Sequence, residues 1–528
     1  MPRPGTSSLP ASRSFAALVD ALPTKIRASL RSIGDSSVTI TGITDDSRAV
    51  RPGFCFVAYL GVASDGRSYI QSAINNGAVA VLLEADGIES DNDTARQRFT
   101  APIRATVSNG REMFAWLCAS WHGFPSKSFK VIGITGTDGK TTTGTILFNI
   151  LRAAGHKVGL ISTVNAVIDQ QVIDTGLHTT TPDADDLQEL LARMRDARVT
   201  YCVLEVTSHG LAHHRVDGTN FNVAVITNIT HDHINLHGSR EAYREAKARL
   251  FKLVGPTGTA ILNADDDYSY SYLASIPVGE TITYARQRHG ASIRTNFITT
   301  NQIQSTASGM VMHVQASNHN LQVQTQLIGA FNVSNILAAV GAAYALKVSD
   351  SAIVVGIAAT RGVPGRMEPV DAGQAFRAFV DFAHTPNALE SCLSTLAALK
   401  GDGQLTVVFG CAGERDVQKR PLMAEIAARL SDNVIFTVED PRREDPENIF
   451  AEMLAGVPAN RANHVTVVPD RLAALQAACS RARPGDIVVA CGKGHEQSMC
   501  FGTREVPWDD RIQLRQAIMA SAAKTEAV

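Results

Sequence analysis

The chain has 528 residues, of which 45% are hydrophobic and 19% are charged, and its net charge is −2. A chain of this length and composition predicts a globular protein with more than one hydrophobic core. The near-neutral charge argues against nucleic acid or an anionic membrane as a partner, and no apolar run reaches the roughly 18 residues that a membrane span needs.

Eight cysteines are scattered along the sequence without a Cys-x-x-Cys pair. This spacing favours reduced, mostly buried thiols over disulfide bridges or zinc ligands. The N-terminal segment has arginines but no apolar stretch behind them, so we expect no secretory signal and a cytoplasmic location.

The N-terminal part of the chain predicts a small α/β domain. A polar Asp-Ser-Arg sequence at 46–48 precedes a short apolar strand at 52–58 and a second turn at 61–66. A helix-like segment at 69–76 and a strand at 78–83 follow. These elements by themselves do not identify a ligand.

The rest of the chain is organised around a glycine-rich stretch at residues 129–143. Apolar residues 131–134 predict a buried strand, and residues 142–154 predict a helix. The turn between them presents backbone N–H groups to a phosphate, while Lys140 adds a mobile charge and Thr141 offers a hydroxyl to Mg²⁺. The residues predicted to bind ATP here are Gly136, Thr137, Asp138, Gly139, Lys140, Thr141 and Thr142.

Strand-like runs then recur at 201–206, 223–228 and 259–262 with helical segments between them. This alternation predicts a mostly parallel sheet, in which ligands bind at the carboxyl ends of the strands. Glu205 closes one of these strands and can hold Mg²⁺ beside a P-loop. His233 follows another strand in a cluster with a second histidine and an aspartate, which can bind a metal or polarise a leaving group.

Lys247 lies in a strongly helical stretch at 240–251. The pattern alone predicts a solvent-facing lysine at this position. From 263 to 327 the sequence becomes rich in Thr, Ser, Asn and Gln with short alternating runs, which predicts β-structure with little chemistry.

The C-terminal part predicts a second doubly wound sheet, with strand-like runs at 379–382, 405–409, 433–438, 464–468 and 486–490. Loops after three of these strands suit a zwitterion, because arginine forks bind carboxylates and acidic side chains bind ammonium groups. The predicted amino-acid-binding residues are Arg415, Asp440, Arg442, Gly492 and Glu496. Three neighbouring charges are predicted to lie at the surface: Asp416, Lys419 and Arg420.

The P-loop form Gly-x-Thr-Gly-Thr-x-Gly-Lys-Thr, which begins at Gly133, resembles the Mur ligase and folylpolyglutamate synthetase superfamily. The common P-loop of kinases and GTPases has glycine at the position of Ile134. Blocks at 204–216, 227–238 and 243–247, with the Asp-Ser-Arg region before them, resemble the tripeptide synthetase branch of the Mur ligases.

This resemblance implies an α/β fold of three domains. They are a small uridine-nucleotide domain at 14–126, a central P-loop doubly wound ATPase domain at 127–362 and a Rossmann-like amino-acid-binding domain at 363–528. It implies a ligase that uses ATP and Mg²⁺ to add a diamino acid to UDP-N-acetylmuramoyl-L-alanyl-D-glutamate in peptidoglycan precursor synthesis. We expect a monomer.

The resemblance also implies roles for individual residues. Thr141, Glu205 and His233 become Mg²⁺ ligands, and Lys140, Lys247, His233 and Glu205 become the catalytic groups. Lys247 is implied to be N6-carboxylated, and this carbamate replaces a cation with the anion that a Mg²⁺–phosphate site needs.

For the UDP-substrate, the resemblance implies contacts from Ser47, the turn at 62–64, Thr180, Thr181, Thr207 and Arg215. For the nucleotide, it implies Asn332 and Asn335 on the adenine side, Arg366 at a phosphate and Asp381 at the ribose. Asn332 also fits the N-cap of a helix. Departures from the family pattern are Thr207 for serine, His213 for glutamine and Asn235 for aspartate.

A further departure, Asp440 for asparagine, bears on the choice of amino acid. Arg415 and Arg442 suit the far carboxylate of diaminopimelate, but an anion at position 440 opposes that carboxylate. It favours the bare ammonium of lysine or ornithine, unless Arg442 neutralises it. We therefore predict a basic diamino acid and leave diaminopimelate, lysine and ornithine open.

Three alternatives remain. A folylpolyglutamate synthetase-like ligase shares the P-loop but should lack the uridine domain. A P-loop kinase or motor ATPase leaves the Gly-Lys-Gly-His-Glu loop at 492–496 without a role. A non-catalytic scaffold conflicts with the intact set of Lys140, Thr141, Glu205, His233 and Lys247.

Overall fold

A computed structural model describes residues 12–61, 64–85, 100–173, 180–230, 232, 234–287, 296–306 and 309–525. The chain forms two compact units. The first comprises residues 1–133, 156–224 and 249–258, and the second comprises residues 134–155, 225–248 and 259–528.

The N-terminal part of the first unit is a five-stranded sheet with helices on both faces. Its elements are β1 (Arg13–Ser14), α1 (Phe15–Asp20), α2 (Thr24–Ala28), β2 (Arg31–Gly34), β3 (Thr39–Ile40), β4 (Gly42–Thr44), β5 (Phe54–Ala58), a 3₁₀ helix (Gly66–Tyr69), α3 (Ile70–Asn75), β6 (Ala80–Glu84), β7 (Ile103–Val107), α4 (Gly110–Trp121) and a 3₁₀ helix (Pro125–Ser128). The strand order is β2-β7-β6-β5-β4, with β4 to β7 parallel and β2 antiparallel to β7.

Residues of β5 alternate between the two faces, as a buried strand requires. Cys55 and Val57 pack in one apolar cluster with residues of α1 and α4, whereas Phe56 and Ala58 pack with residues of α3 in another. The small α/β arrangement predicted for this part is therefore confirmed.

The middle of the chain passes between the units, and β8, β13 and α9 each cross a unit boundary. Its elements are β8 (Lys130–Thr135), α5 (Lys140–Ala153), β9 (Val158–Ile161), β10 (Ala166–Ile168), β11 (Gln171–Ile173), α6 (Ala184–Asp196), β12 (Tyr201–Glu205), α7 (Ser208–Ala212), β13 (Phe221–Ile226), α8 (Ile234–His237), α9 (Arg240–Val254) and a 3₁₀ helix (Gly255–Thr257). In the first unit, β9 pairs in parallel with β12 and antiparallel with β10, which pairs antiparallel with β11.

The second unit continues with β14 (Thr259–Asn263), α10 (Asp267–Leu273), β15 (Glu280–Tyr284), β16 (Phe297–Thr306), β17 (Gly309–Ala316), β18 (His319–Thr325), α11 (Phe331–Ala345) and α12 (Asp350–Ala358). Strands β14 to β16 are parallel, and β16 to β18 form an antiparallel meander. This confirms the predicted β-rich segment.

The C-terminal part of the second unit is a six-stranded sheet of order β19-β20-β24-β21-β22-β23, parallel except for the edge strand β19. Its elements are β19 (Glu368–Pro369), β20 (Arg377–Asp381), α13 (Pro386–Leu399), β21 (Leu405–Phe409), α14 (Lys419–Leu430), β22 (Asn433–Phe436), α15 (Pro446–Ala455), a 3₁₀ helix (Ala459–His464), β23 (Val465–Val467), α16 (Arg471–Arg481), β24 (Ile487–Cys491), β25 (Ser498–Phe501), β26 (Arg504–Pro507) and α17 (Asp510–Thr525).

Neighbouring residues of the central strands again face opposite sides. Val407 and Val489 pack with residues of α13, α14 and α15, whereas Val408 and Val488 pack with residues of α16 and α17. Helices therefore cover both faces, which confirms the doubly wound sheet predicted for this part.

All eight cysteines are free thiols and seven of them are buried, as the sequence predicted. Within the described parts of the chain, no helix is both long enough and apolar enough to span a membrane.

Candidate active site

The P-loop lies in the second unit and connects β8 to α5. Two of its glycines are required by sterics, because Gly136 has φ +148° and Gly139 has φ +85°. A Cβ atom would lie 1.8 Å from Thr227 Oγ1 at the first position and 2.3 Å from Asn335 Oδ1 at the second. Only glycine fits this cradle. Helix α5 begins at Lys140, two residues before the start predicted from the sequence.

Lys140 and Thr141 stand at the start of this helix. The Lys140 ammonium donates to the carbonyls of Gly136 at 3.0 Å and of Thr137 at 2.8 Å, so that it folds back over its own loop. Thr141 is buried, and its hydroxyl accepts a hydrogen bond of 3.5 Å from Arg366. A positive charge and a hydroxyl therefore meet at the amino end of α5, where a phosphate is favoured.

A cavity of about 520 Å³ opens beside the P-loop. Its volume is in the range of small-molecule binding sites. Six of the predicted nucleotide-binding residues line it: Asp138, Gly139, Thr142, Asn335, Arg366 and Asp381. Thr137 points elsewhere, since its hydroxyl contacts the Tyr243 hydroxyl at 3.1 Å and accepts the Thr230 amide at 3.0 Å.

Asn332 does not line this cavity, and its interpretation as a helix N-cap is wrong. Helix α11 begins at Phe331, with Ala330 in the N-cap position. The buried Asn332 side chain donates to the Ile328 carbonyl at 2.8 Å and accepts from Asn335 Nδ2 at 2.9 Å. Asn332 therefore supports the asparagine that faces the cavity.

Arg366 and Asp381 bring the C-terminal sheet to the same cavity. The Arg366 guanidinium lies 4.5 Å from the centre of the Phe382 ring, and its buried Nε has no hydrogen-bond partner among the described residues. The Asp381 carboxylate accepts the amides of Met367 at 2.6 Å and Ala383 at 2.8 Å. Burial raises the pKa of Asp381, and the charge of Arg366 opposes this effect.

Lys247 is not the solvent-facing helix lysine that its pattern predicted. Only 1% of the residue is exposed. Its amine donates to the Gly136 carbonyl at 2.8 Å and lies 4.4 Å from the centre of the Tyr243 ring. Burial, followed by the charge of Lys140, lowers the pKa of Lys247 well below its ordinary value. A buried amine beside the P-loop is therefore held towards its neutral form.

Two positions near Lys247 in the sequence, His233 and Asn235, cannot be compared with their predictions. His233 lies outside the described residues, and so does the side chain of Asn235. Asp232 is described and buried, and its charge raises the pKa of Lys247. A carboxylate therefore lies close enough to this lysine to influence its proton.

Glu205 belongs to the first unit, where it closes β12 as the sequence predicted. Its side chain is fully buried. The Thr163 hydroxyl donates to one carboxylate oxygen at 3.0 Å, and the Thr163 amide donates to the other at 3.3 Å. Two donors therefore stabilise this buried carboxylate.

The residues predicted to hold the UDP-substrate form a network in the first unit. The Thr181 hydroxyl accepts the Thr207 amide at 2.9 Å and donates to the Glu205 carbonyl at 3.1 Å. The Thr180 and Thr163 hydroxyls lie 3.1 Å apart, and Arg215 donates to the Thr181 carbonyl at 3.0 Å. Thr207 keeps a structural role despite replacing serine, because it caps α7.

Ser47 is buried in the N-terminal sheet region, and its carbonyl accepts from Asn76 at 2.9 Å. Of the turn predicted at 62–64, residues 62 and 63 lie outside the described residues. His213, which replaces glutamine, lies 2.6 Å from Arg111 through its Nδ1 atom. Burial lowers the pKa of His213 to about 4, so this ring is neutral.

The counter-ion of Asp440 in the structure is Lys493 rather than Arg442. The Lys493 ammonium lies 2.9 Å from Asp440 Oδ1 and 2.5 Å from Glu496 Oε2, and the Cys500 amide donates to Asp440 at 3.0 Å. Lys493 is 2% exposed. Lys493 stands in the Gly-Lys-Gly-His-Glu loop at 492–496, but the local sequence does not indicate its pairing with Asp440.

Arg415 and Arg442 are close enough to repel each other. Partial desolvation, then the charge of Arg442, lowers the pKa of Arg415. Arg442 adopts φ +54°, and its buried Nε has no hydrogen-bond partner in the described chain. Two neighbouring guanidinium groups with an unused donor suit a carboxylate.

Gly492 and Glu439 pack against each other beside these charges. Gly492 has φ +106°, and a Cβ atom there would lie 2.3 Å from Glu439 Oε2. This oxygen is buried and has no hydrogen-bond partner among the described residues. Burial raises the pKa of Glu439 to about 7.

The predicted surface position of Asp416, Lys419 and Arg420 is wrong, since all three are buried. Lys419 donates to the His384 carbonyl at 2.8 Å, and Arg420 pairs with Glu444 and Glu452. Sequence pattern misses these roles because the partners are distant in the chain.

Family models match three stretches of the chain. The descriptions are "Mur ligase family, catalytic domain" for residues 39–122, "Mur ligase middle domain" for residues 134–343 and "Mur ligase, glutamate ligase domain" for residues 365–494. Together these matches extend over most of the sequence, including the N-terminal part that a folylpolyglutamate synthetase-like protein was expected to lack.

Relatives match over nearly the whole length. A UDP-N-acetylmuramyl-tripeptide synthetase of Roseiflexus sp. (strain RS-1) is 40% identical over 496 residues, covering 91% of this chain and 94% of that protein. A UDP-N-acetylmuramoyl-L-alanyl-D-glutamate–2,6-diaminopimelate ligase of Geobacillus kaustophilus is 38% identical over 487 residues, covering 91% of this chain and 95% of that protein.

Solved structures show the same fold. A UDP-N-acetylmuramoyl-L-alanyl-D-glutamate–2,6-diaminopimelate ligase superposes with a TM-score of 0.63 at 29% identity, covering 97% of this chain and 99% of that one. A folylpolyglutamate synthase of Mycobacterium tuberculosis gives 0.58 at 19% identity, covering 71% of this chain and 91% of that one. The second similarity shows the fold alone.

Proposed function

The chain belongs to the Mur ligase family, and on that premise we propose that it uses ATP to join a diamino acid to UDP-N-acetylmuramoyl-L-alanyl-D-glutamate. The family and the three-domain α/β fold predicted from the sequence are confirmed. The protein is therefore an ATP-dependent ligase that acts on a UDP-N-acetylmuramoyl peptide. The acceptor dipeptide and the amino acid are the proposed part.

One observation supports the reaction type best, namely the buried Lys247 amine beside the P-loop carbonyl of Gly136. An uncharged amine reacts with CO₂ to form a carbamate, whereas an ammonium does not. We propose that Lys247 is carboxylated in the active enzyme. The Lys140 charge that lowers the pKa of Lys247 would also stabilise the anion formed there.

The chemistry follows from the poor reactivity of a carboxylate as an acyl donor. Transfer of the γ-phosphate of ATP to the carboxylate gives an acyl phosphate, which the incoming amine attacks, and phosphate leaves as the amide forms. We propose that Lys140 and the P-loop amides stabilise the charge that develops on the phosphoryl oxygens, since both lie at the amino end of α5. Arg366, with its unpaired Nε at the cavity, is proposed to bind a phosphate.

The glycine cradle, the cavity volume and the cavity-lining Asp381 fit a nucleotide. Bound Mg²⁺ would neutralise phosphate charge. The Thr141 hydroxyl is a proposed ligand in the second unit, and hydroxyl and carboxylate oxygens are the donors that Mg²⁺ prefers. Glu205 in the first unit and His233 keep their proposed metal roles from the family resemblance.

The amino acid proposed is diaminopimelate. The sequence left lysine and ornithine open because Asp440 was treated as an uncompensated anion. Lys493 pairs with Asp440, so that the charge opposing a distal carboxylate is offset while Arg415 and Arg442 remain beside it. The name of the Geobacillus kaustophilus relative agrees with this choice.

For the UDP-substrate, we propose contacts from Ser47, Thr180, Thr181, Thr207 and Arg215. The threonines present hydroxyls in one hydrogen-bonded network, and Arg215 supplies a charge for anionic groups. Asn335 and Asn332 are proposed on the adenine side, with Asn335 in direct contact.

The test is phosphate release from ATP by the purified protein, with and without the UDP-dipeptide and each amino acid. We expect release only with both co-substrates, and the highest kcat/KM with diaminopimelate. Release that ignores the UDP-dipeptide but responds to a folate with glutamate would favour the folylpolyglutamate synthetase alternative. The domain boundaries, the monomeric state and the cytoplasmic location remain predictions.

A further inference from the structure

Two loops of the second unit carry the arginines of the proposed amino acid pocket. Loop A (residues 410–416) follows β21 and contains Arg415, and loop B (residues 437–445) follows β22 and contains Arg442. The two guanidinium groups carry the same charge, and that of Arg442 lowers the pKa of Arg415. The carboxylates of Asp440 and Glu496 oppose this effect, and further contacts between the loops bear on how the two arginines are held.

The loops touch through their backbones. The Gly413 amide of loop A donates to the Asp440 carbonyl of loop B at 2.8 Å. A Cβ atom at Gly413 would lie 2.0 Å from the Pro441 carbonyl oxygen, so that no larger residue allows this approach.

An ion pair between a buried arginine and a partly exposed glutamate, which is 24% exposed, connects the two loops. Arg420 of α14 is fully buried. Its guanidinium donates one hydrogen bond to each carboxylate oxygen of Glu444 in loop B, at 2.6 and 2.8 Å. The same guanidinium donates to the Ala412 carbonyl of loop A at 3.1 Å. Glu444 in turn accepts the Glu414 amide of loop A at 3.0 Å. Arg420 therefore bonds to both loops, and Glu444 of loop B also bonds to loop A.

We propose that the Arg420–Glu444 pair is a positioning device that sets the separation of Arg415 and Arg442, so that both arginines can bind one carboxylate of the incoming amino acid. This inference rests on the proposed function. If the relative position of Arg415 and Arg442 is set before binding, the amino acid does not have to order the two loops, and the entropic cost of binding is smaller. The pair acts through the loops and not by touching the substrate.

The test is the KM for the amino acid in Glu444→Gln, measured by phosphate release at saturating ATP and UDP-dipeptide. We expect the KM to rise about tenfold, since small misplacements of binding groups can cost this much or more. The kcat and the KM for ATP should stay close to those of the wild type. Glu444→Asp, which keeps the charge but shortens the side chain, should give an intermediate KM and guards against a variant that fails to fold.

Glu452→Gln is the matched control. Glu452 pairs with the same guanidinium at 2.7 Å, but it lies on α15 and is 40% exposed. Because Glu452 lies on neither loop, its removal should leave the separation of the arginines in place, and the KM should change less than about threefold. Equal KM values in the Glu444 and Glu452 variants would overturn the positioning role, as would a loss confined to kcat.

Arg442→Ala separates this inference from the proposed pocket. If Arg442→Ala raises the KM for the amino acid but neither Glu444 variant does, only the positioning role fails. If Arg442→Ala leaves that KM unchanged, the pocket assignment fails first, and the role of the pair fails with it.

Discussion

Lys493→Met is expected to shift the preference of the protein from diaminopimelate towards lysine. The Lys493 ammonium is the shared counter-ion of Asp440 and Glu496, at 2.9 and 2.5 Å. Methionine keeps much of the side-chain volume but removes the charge. Two carboxylates then face the pocket of Arg415 and Arg442 without compensation, and they repel a second carboxylate on the amino acid.

The size of the effect follows from Coulomb's law. Two unit charges about 4 Å apart interact by about 4 kcal/mol at an effective dielectric constant of about 20. In the proposed pocket the distal carboxylate would contact the arginines rather than Asp440, so we take about one third of this value, about 1.4 kcal/mol. This corresponds to about a tenfold change in relative kcat/KM.

The assay is kcat/KM for diaminopimelate and for lysine with the same UDP-dipeptide. The diaminopimelate-to-lysine ratio should fall about tenfold in Lys493→Met and should recover in the double variant Lys493→Met/Asp440→Asn. Asp440→Asn alone should raise the ratio by about threefold or less, because Lys493 already compensates part of the charge that this substitution removes.

Thermal unfolding must accompany this assay, because removal of one partner of a buried pair can cost about 3–5 kcal/mol. A folded Lys493→Met variant with an unchanged ratio would refute the reasoning. It would mean that Asp440 and Glu496 do not face the distal group of the amino acid.

Three further predictions concern single side chains. Lys140→Ala should keep the fold, as judged by circular dichroism, but lose more than about tenfold in kcat, because a charge that stabilises the phosphoryl oxygens is removed; a smaller loss would show that this lysine does not serve the phosphates. Lys247→Ala should be nearly inactive and should partly recover with formate or acetate, which can replace the carbamate. Wild-type enzyme should incorporate ¹³C-labelled CO₂ at this lysine, and an active alanine variant would exclude the modification. Burial raises the pKa of Glu439 from 4.5 to about 7, so the folded state binds this proton more tightly than the unfolded state. The resulting stability is fully present below about pH 4.5 and is lost as the pH rises through about 7. Glu439→Gln should therefore gain Tm relative to wild type between about pH 5 and about pH 8, and a Tm difference independent of pH would contradict this assignment.

The sequence alone determined the P-loop and the fold class, because both depend on local information. The steric need for glycine at Gly136 and Gly139, the strand before them and the helix after them all follow from residues within one short stretch. The alternation of strands and helices likewise predicts layered α/β packing, because each element has an apolar face that must be buried against a neighbouring layer. Most of the predicted boundaries shifted by no more than two residues, and the end of the helix predicted at 240–251 shifted by three.

The tertiary structure decided which charges are buried and what pairs with them. Helical periodicity shows that Lys247 and Arg420 occupy given faces of their helices, but not what covers those faces. The P-loop covers the first, and loops from two different strands cover the second.

Asp440 shows the physical reason most directly. Its effect on a substrate depends on whether its charge is compensated, and its partner Lys493 lies 53 residues away in the chain. A local sequence pattern cannot reveal this pairing, because the two loops come together only in the folded chain. The sequence therefore singled out Asp440 as a candidate determinant of substrate choice, while the tertiary contact with Lys493 offsets the charge on which that prediction rested.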